Sequence, residues 1–286
     1  LINRLCIIGV GLIGGSLARA LRAAGYCREV IGSGRNSVHL QQAVDLGVID
    51  RFETDPGLAV AGADMVLVAV PLGAMESVFR SIHGRLDAGA VLTDAGSAKG
   101  SVIEAAGRAF GCVPDYFVPG HPIAGTENSG VAASTADLYR NRRVIVTPLA
   151  HTDPVATSQV RAMWEATGAR VSEMEAVHHD AVLAATSHLP HVLAFTLVDS
   201  LARMGDHEEI FAYAAGGFRD FTRIASSDPV MWRDICLANG DAIQLMIGRF
   251  IDDLKVVGKA VQEGEGERLL DIFTSAKQAR DRFAGN

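Results

Sequence analysis

The sequence predicts an α/β protein in which a doubly wound Rossmann-type sheet is followed by an all-helical C-terminal domain, and three observations carry that prediction. Gly9-Val10-Gly11-Leu12-Ile13-Gly14 is a GxGxxG run that follows an apolar strand and opens a helical pattern. Short apolar runs then alternate with helical patterns as far as Met174, the signature of a parallel sheet with crossover helices. After Glu175 strand signals stop, and apolar residues recur at helical spacing in Ala181 to Leu201 and Ile235 to Val257. The boundary falls near residue 174, giving domains 1–174 and 175–286.

Each element has its own signal. Leu5 to Val10 is the first strand, and the helix from Ile13 to Ala24 stops at Gly25, a natural C-terminal cap. A strand at Glu29 to Gly32, a helix at Val38 to Leu46, and strands at Met65 to Val70 and Ala90 to Thr93 continue the alternation. Arg143 to Thr147 reads as a further strand, His151 to Thr167 as a helix and Ala169 to Met174 as the last strand. Pro190 inside the first long C-terminal helix predicts a kink and a carbonyl without its normal partner. Asp228-Pro229 is a helix start, an N-cap followed by proline at the first position. The charged tail after Gln262 is expected at the surface.

Bulk properties narrow the function. A chain of 286 residues exceeds the usual single-domain size. The net charge of −7, with no run of lysines or arginines, argues against a nucleic-acid surface or a polybasic membrane contact and favours a small-molecule partner. The apolar run from Met65 to Met75 is interrupted by Pro71 and falls short of the roughly 18 residues of a membrane span, so no membrane partner is expected. Cys6, Cys27, Cys112 and Cys236 are scattered, with no CxxC pair, and are expected to be buried free thiols; no metal site is expected. Leu1-Ile2-Asn3-Arg4 runs straight into a strand rather than a signal peptide, which favours a cytoplasmic location.

The glycines of the first turn have separate tasks. Gly9 permits the tight turn, Gly11 lets the backbone approach a pyrophosphate, and Gly14 lets helix and strand pack closely, with Leu12 and Ile13 in the helix start that faces the phosphates. An NAD-selective site usually carries an acid at the end of the second strand. Here that neighbourhood reads Ile31-Gly32-Ser33-Gly34-Arg35-Asn36, without an acid. Ser33 and Arg35 are therefore candidates to hold a 2′-phosphate, and NADP, or use of both NADP and NAD, is expected; the alternative for Arg35 is an exposed loop arginine.

Three segments carry candidate chemistry. Gly120-His121-Pro122-Ile123-Ala124-Gly125-Thr126-Glu127-Asn128-Ser129-Gly130 sets one histidine among glycines and small polar residues, which reads as a loop exposing an imidazole that accepts a proton beside a nicotinamide ring. Asp94-Ala95-Gly96-Ser97-Ala98-Lys99-Gly100 follows a strand directly, where loops line the ligand crevice of such sheets. From Gly216 to Pro229, paired glycines with Arg219 and Arg223 interrupt the helical pattern.

These segments, with Gly11 to Ser16, the Ser187-His188-Leu189-Pro190-His191 run and Gly216 to Asp234, resemble the prephenate and arogenate (cyclohexadienyl) dehydrogenase family over nearly the whole chain. The resemblance implies oxidative decarboxylation of a cyclohexadienol, giving 4-hydroxyphenylpyruvate from prephenate or tyrosine from arogenate, with hydride transfer to NAD or NADP. It implies His121 as proton acceptor, Ser97 as the hydroxyl orienting histidine and substrate, and Arg223 as partner of the ring carboxylate, with guanidinium geometry suited to that task. It places His188 and His191, three apart on one helix face, beside the substrate, together with Thr126, Glu127, Gly216 and Trp232. It also implies that the helical domain binds substrate and pairs the chain as a homodimer. Arg219 either assists or forms a surface ion pair with Asp220 or Asp234. His178-His179 have no matched role and read as a solvated helix start.

Two other readings compete. A two-domain dehydrogenase of the β-hydroxyacid type is expected to place a catalytic lysine in the helical part, where only Lys255, Lys259 and Lys277 occur, all late and in charged surroundings. A non-catalytic nucleotide sensor is expected to have lost His121, Ser97 or Arg223, and all three are present.

Overall fold

Leu5 and Ile7 of β1 (Ile2–Ile8) face one apolar layer and Cys6 and Ile8 the other, so the strand is buried on both sides as a central parallel strand must be. The computed structural model describes residues 1–126 and 128–284. After β1 the chain alternates α1 (Leu12–Ala23), β2 (Cys27–Ser33), α2 (Ser37–Asp45), β3 (Arg51–Glu53), α3 (Pro56–Ala59), β4 (Met65–Val68), α4 (Met75–Ile82), β5 (Val91–Asp94), α5 (Lys99–Phe110) and β6 (Phe117–Val118). The six strands are parallel, in the order β3-β2-β1-β4-β5-β6. This is the doubly wound sheet, with its topological switch between β1 and β4.

The remaining strands do not extend that sheet. β7 (Gly120–Ile123), β8 (Arg143–Val146) and β9 (Arg170–Glu173) form a second sheet in the order β7-β8-β9, with β7 antiparallel to β8. The segment expected as an exposed histidine loop is therefore partly a strand, and His121 lies opposite Ile145. Pro119 separates the sheets: it has no N–H for a ladder, and its carbonyl accepts Thr147 N–H at 2.9 Å, handing the chain from β6 to β7. Helix α6 (Pro154–Ala166) begins three residues later than the spacing predicts, because the Asp153 side chain caps Val155 N–H and Pro154 takes the first position.

Beyond β9 the described residues are helical. α7 (Ala176–Leu183), a π-turn at Ala184–His188 and α8 (Leu189–Ala202) make one continuous run. The wide turn ends two residues before Pro190, whose missing N–H would otherwise disrupt the ladder, and His191 Nδ1 donates to the Ser187 carbonyl at 2.9 Å. By length and composition this run is apolar enough to cross a bilayer, which the shorter Met65 to Met75 run is not. Its buried His179, Asp180 and His188 all have polar partners. α9 (His207–Ala212), α10 (Gly216–Thr222), a 3₁₀ turn at Arg223–Ser226 and α11 (Pro229–Ala238) follow, α11 capped by Asp228 as its sequence predicts.

The helix expected from Ile235 to Val257 is broken at Asn239, whose side chain is committed to Asp180 O and His188. Leu1–Gly240 is one compact unit, and a second unit from Asp241 onward consists of α12 (Gly240–Glu263) and α13 (Gly266–Ala284). The cysteines are free, but only Cys6 is buried; Cys112 is exposed, and Cys27 and Cys236 are half-buried.

The glycine turn shows why its residues are small. Gly9 has φ +102°, and a Cβ there would meet Ala69 O at 2.3 Å; at Gly14 it would meet Gly9 O at 2.4 Å. At Gly11 it would meet nothing within 4 Å. Gly14→Ala is accordingly expected to destabilise by about 1–3 kcal/mol, whereas Gly11→Ala changes stability by less than about 1 kcal/mol. Denaturant unfolding of the two variants checks this, and equal losses would contradict the packing argument.

Candidate active site

The loops that meet at the carboxyl ends of the strands build the site. Gly11 caps α1 without a side-chain hydrogen bond, so the helix start that includes Leu12 and Ile13 presents uncapped N–H groups, with open space over Gly11. That arrangement suits a pyrophosphate. At the end of β2, Ser33 Oγ is buried without a hydrogen-bond partner among the described residues, which suits a ribose or phosphate oxygen. Arg35 is exposed two residues on, while Asn36 is occupied in capping α2. The residues present fit a dinucleotide.

The loop after β5 is held by charge. Asp94 is fully buried; its Oδ2 accepts from Gly96 N–H at 2.7 Å and from Lys99 Nζ at 2.6 Å, and its Oδ1 accepts from Gly120 N–H at 3.0 Å. Lys99 Nζ also donates to the Gly120 carbonyl. Ser97 lies half-buried in this loop, and among the described residues no hydrogen bond joins it to His121.

His121 is 8% exposed rather than displayed on a loop, because β8 pairs along its strand. Its Nδ1 lies 2.9 Å from His179 Nε2, and His179 Nδ1 lies 2.8 Å from Asp180 Oδ1. Asp180 also accepts the N–H groups of Lys99 and Gly100, each at 2.8 Å. Burial alone would raise its pKa, but the bonds from His179, Lys99 and Gly100 outweigh that and hold it below the ordinary carboxylate value. An ionised Asp180 only accepts, so His179 carries its proton on Nδ1 and turns an acceptor Nε2 toward His121. His121 then donates from Nδ1, and its Nε2 keeps a lone pair.

Burial, and next the positive charge of Lys99 with smaller contributions from His179 and His188, pushes the His121 pKa well below 6.5. The imidazole is therefore neutral near pH 7 and able to take a proton at Nε2. The His179-Asp180 pair is what the sequence reading missed: His178 is exposed as expected of a helix start, but His179 is fully buried. One signal was available, since His179 stands four residues before the apolar Leu183 and so shares its buried face.

The helical part supplies the opposite wall. Asn239 Nδ2 donates to His188 Nδ1 at 3.1 Å, which leaves His188 with its proton on Nε2, and burial lowers its pKa to about 4. His191 stacks on Trp232 at 3.7 Å between ring centroids, and Trp232 also meets the His188 ring edge-on at 6.1 Å. Trp232 Nε1 is buried without a hydrogen-bond partner among the described residues, an N–H donor beside two imidazoles. The 3₁₀ turn that carries Arg223 packs against α8, which carries His191, and Arg223 itself is exposed; the His191 pKa is lowered first by burial and also by the Arg223 charge.

The fold thus brings His121, His179, His188, His191, Trp232 and Arg223 into one region. Thr126 is exposed, its Oγ1 accepting Asn128 N–H at 3.2 Å, and Glu127 lies outside the described residues. Gly216 opens α10 at the surface, with no neighbour that a Cβ would meet within 4 Å. Asp234 pairs with Arg233 at 2.7 Å rather than with Arg219.

A doubly wound sheet with an uncapped glycine turn, and a neutral buried histidine beside that turn's end of the sheet, define a nicotinamide-dependent oxidoreductase with a helical partner region. Residues 17–173 match the family model for the prephenate dehydrogenase nucleotide-binding domain, and residues 175–275 that for the prephenate dehydrogenase dimerization domain. The chain belongs to the prephenate dehydrogenase family. A cyclohexadienyl dehydrogenase of Zymomonas mobilis is 40% identical over 97% of this chain and 95% of that protein. A prephenate dehydrogenase of Bacillus subtilis is 35% identical over 98% of this chain and 76% of its own. The crystal structure of prephenate dehydrogenase from A. aeolicus in complex with hydroxyphenyl propionate and NAD+ superposes with a TM-score of 0.92 at 36% identity, covering 99% of both chains. Family membership sets aside the β-hydroxyacid alternative.

The neutral histidines make stability depend on pH. Below 6.5 the unfolded chain protonates His121 and His188 while the folded chain resists, so the stabilisation is complete above 6.5 and is lost as pH falls toward 4. Replacing His188 by Gln is expected to flatten that fall in Tm; an unchanged slope would place the acid sensitivity elsewhere.

Proposed function

We propose that this chain oxidatively decarboxylates prephenate and L-arogenate to 4-hydroxyphenylpyruvate and L-tyrosine. The observation that carries the reading is the neutral His121, its Nδ1–H given to His179 and its Nε2 left as a base. The nicotinamide ring, when bound, supplies the hydride acceptor. His121 Nε2 takes the proton of the ring carbinol as hydride leaves the same carbon. The C–C bond to the ring carboxylate then breaks, its electron pair enters the ring as carbon dioxide departs, and the phenolate left behind takes the proton back from His121 to become the phenol.

Arg223 aligns that carboxylate before it is lost. A guanidinium serves because its fork fits two carboxylate oxygens, and positioning is its task, since tighter binding of the ground state would oppose decarboxylation. Ser97 bonds the substrate hydroxyl from the β5 loop. His188, as an Nε2–H donor, and Trp232 Nε1 offer hydrogen bonds to the substrate from the helical wall, with His191 stacked beside them. Thr126, Glu127 and Gly216 belong to the same substrate-binding set by family likeness.

Gly9, Gly11 and Gly14 with the first turn of α1 hold the pyrophosphate. Ser33 and Arg35 hold the adenosine end, and the absence of an acid at the end of β2 supports NADP or use of both cofactors. Residues 1–174 form the dinucleotide-binding domain and 175–286 the helical domain, through which the chain pairs as a homodimer. Two facts support the pairing: the match to a dimerization domain, and the exposure of Leu245, Ile251, Leu254 and Val261 on α12, more apolar side chain than a monomer's surface helix needs to show.

The test is initial-rate formation of reduced cofactor, with prephenate and arogenate each offered with NAD and NADP. Rates with both substrates are expected, and silence in all four mixtures from folded protein would reject the reading. His121→Asn should lower turnover by at least ~100-fold with little change in cofactor affinity. Arg223→Ala should raise the substrate KM strongly; an unaltered KM would assign that residue to structure. Arg35→Ala should weaken NADP at least ~10-fold more than NAD, and equal losses would remove it from cofactor selection.

A further inference from the structure

Lys99 is among the largest fully buried side chains of the chain, and nothing in the proposed chemistry uses its ammonium. Burying a charge is costly, and an aliphatic side chain would fill the same space without that penalty. The explanation lies in what the ammonium touches. Nζ is 2.6 Å from Asp94 Oδ2 and 2.5 Å from the Gly120 carbonyl, while Asp94 Oδ1 takes the Gly120 N–H at 3.0 Å. Both polar backbone atoms of the residue before His121 are therefore gripped by one buried ion pair. Gly120 packs closely here: a Cβ would meet the Asp94 carbonyl oxygen at 3.1 Å, a tight contact.

The same lysine reaches the second support of His121. Its backbone N–H, with that of Gly100, is bound by Asp180, and Asp180 Oδ1 holds His179, whose Nε2 faces His121 Nδ1. One support fixes the histidine through its main chain and the other through its ring, and they join at Lys99.

We propose that Lys99 and Asp94 are positioning residues for the proton transfer, a buried clasp on Gly120 that sets the His121 ring to reach His179 on one side and the substrate hydroxyl on the other. The inference rests on the reading of His121 as the proton acceptor. The clasp also acts electrostatically. After burial, the positive charge of Lys99 disfavours protonation of His121; the other groups acting on that imidazole are His179 from α7 and His188 from the π-turn, with Asp180 and Asp94 behind them.

The experiment compares Lys99→Met, the double variant Asp94→Asn with Lys99→Met, and His121→Asn in the full chain, reading kcat, substrate and cofactor KM, the pH profile of kcat/KM, and Tm. Lys99→Met is expected to lower kcat by ~10–100-fold, the cost of a misplaced reacting group, with both KM values within about threefold. Loss of the cation should also move the acid limb of kcat/KM upward toward 6.5, which a merely structural role would not do. The double variant, with both charges removed together, should show the same split between kcat and KM and serves if Lys99→Met does not fold.

An unchanged kcat and acid limb in folded Lys99→Met, with His121→Asn inactive, would overturn the clasp alone. So would failure of both lysine variants to fold, which would make the pair structural. Full turnover in His121→Asn would instead remove the base on which the inference rests.

Discussion

Asp180 is the carboxylate on which the site depends. It is taken largely out of water at the start of α5, where two backbone N–H groups have no partner in their own helix, and it satisfies both while holding the proton of His179. Helix α5 belongs to the sheet and α7 to the helical part of the same compact unit, so this one group fastens the two at the place where chemistry is expected. It also fixes the tautomer of His179 and, through it, that of His121.

The imidazoles show how neutral groups do work that charges would spoil. His121 must be unprotonated to act as a base, and burial near Lys99 keeps it so. His188 is neutral for a related reason, burial, and its Asn239 partner makes it a donor rather than an acceptor. Two histidines of one fold are thus assigned opposite hydrogen-bonding roles by the atoms behind them, the behaviour expected when tautomers are set by partners away from the ligand. The π-turn before Pro190 belongs to the same design, since it carries His188 and lets the proline pass within a continuous helical run.

Much of the fold was legible because its signals are local. The GxGxxG turn, the βα alternation and the Asp228-Pro229 cap each depend on residues within a few positions of one another. The strands β3 and β6 were not legible, since two or three residues carry no periodicity, and β7 was not because its Gly120 and Pro122 read as a loop. For the same reason the strands around Arg143 and Ala169 were recognisable as strands while their membership of a separate sheet was not. His179 looked like a solvated residue because its neighbour His178 is one, and a helix turns adjacent residues to different surroundings.

The sequence by itself determined the dinucleotide turn, the succession of sheet and helices, and which imidazoles and guanidinium the chemistry can draw on, because backbone conformation and residue type are properties of short segments. Only the tertiary structure decided that His121 turns its Nδ1 to His179 and that Lys99 is buried against Gly120. These contacts join residues 21 to 80 positions apart in the chain, and a separation of that kind is closed by packing alone.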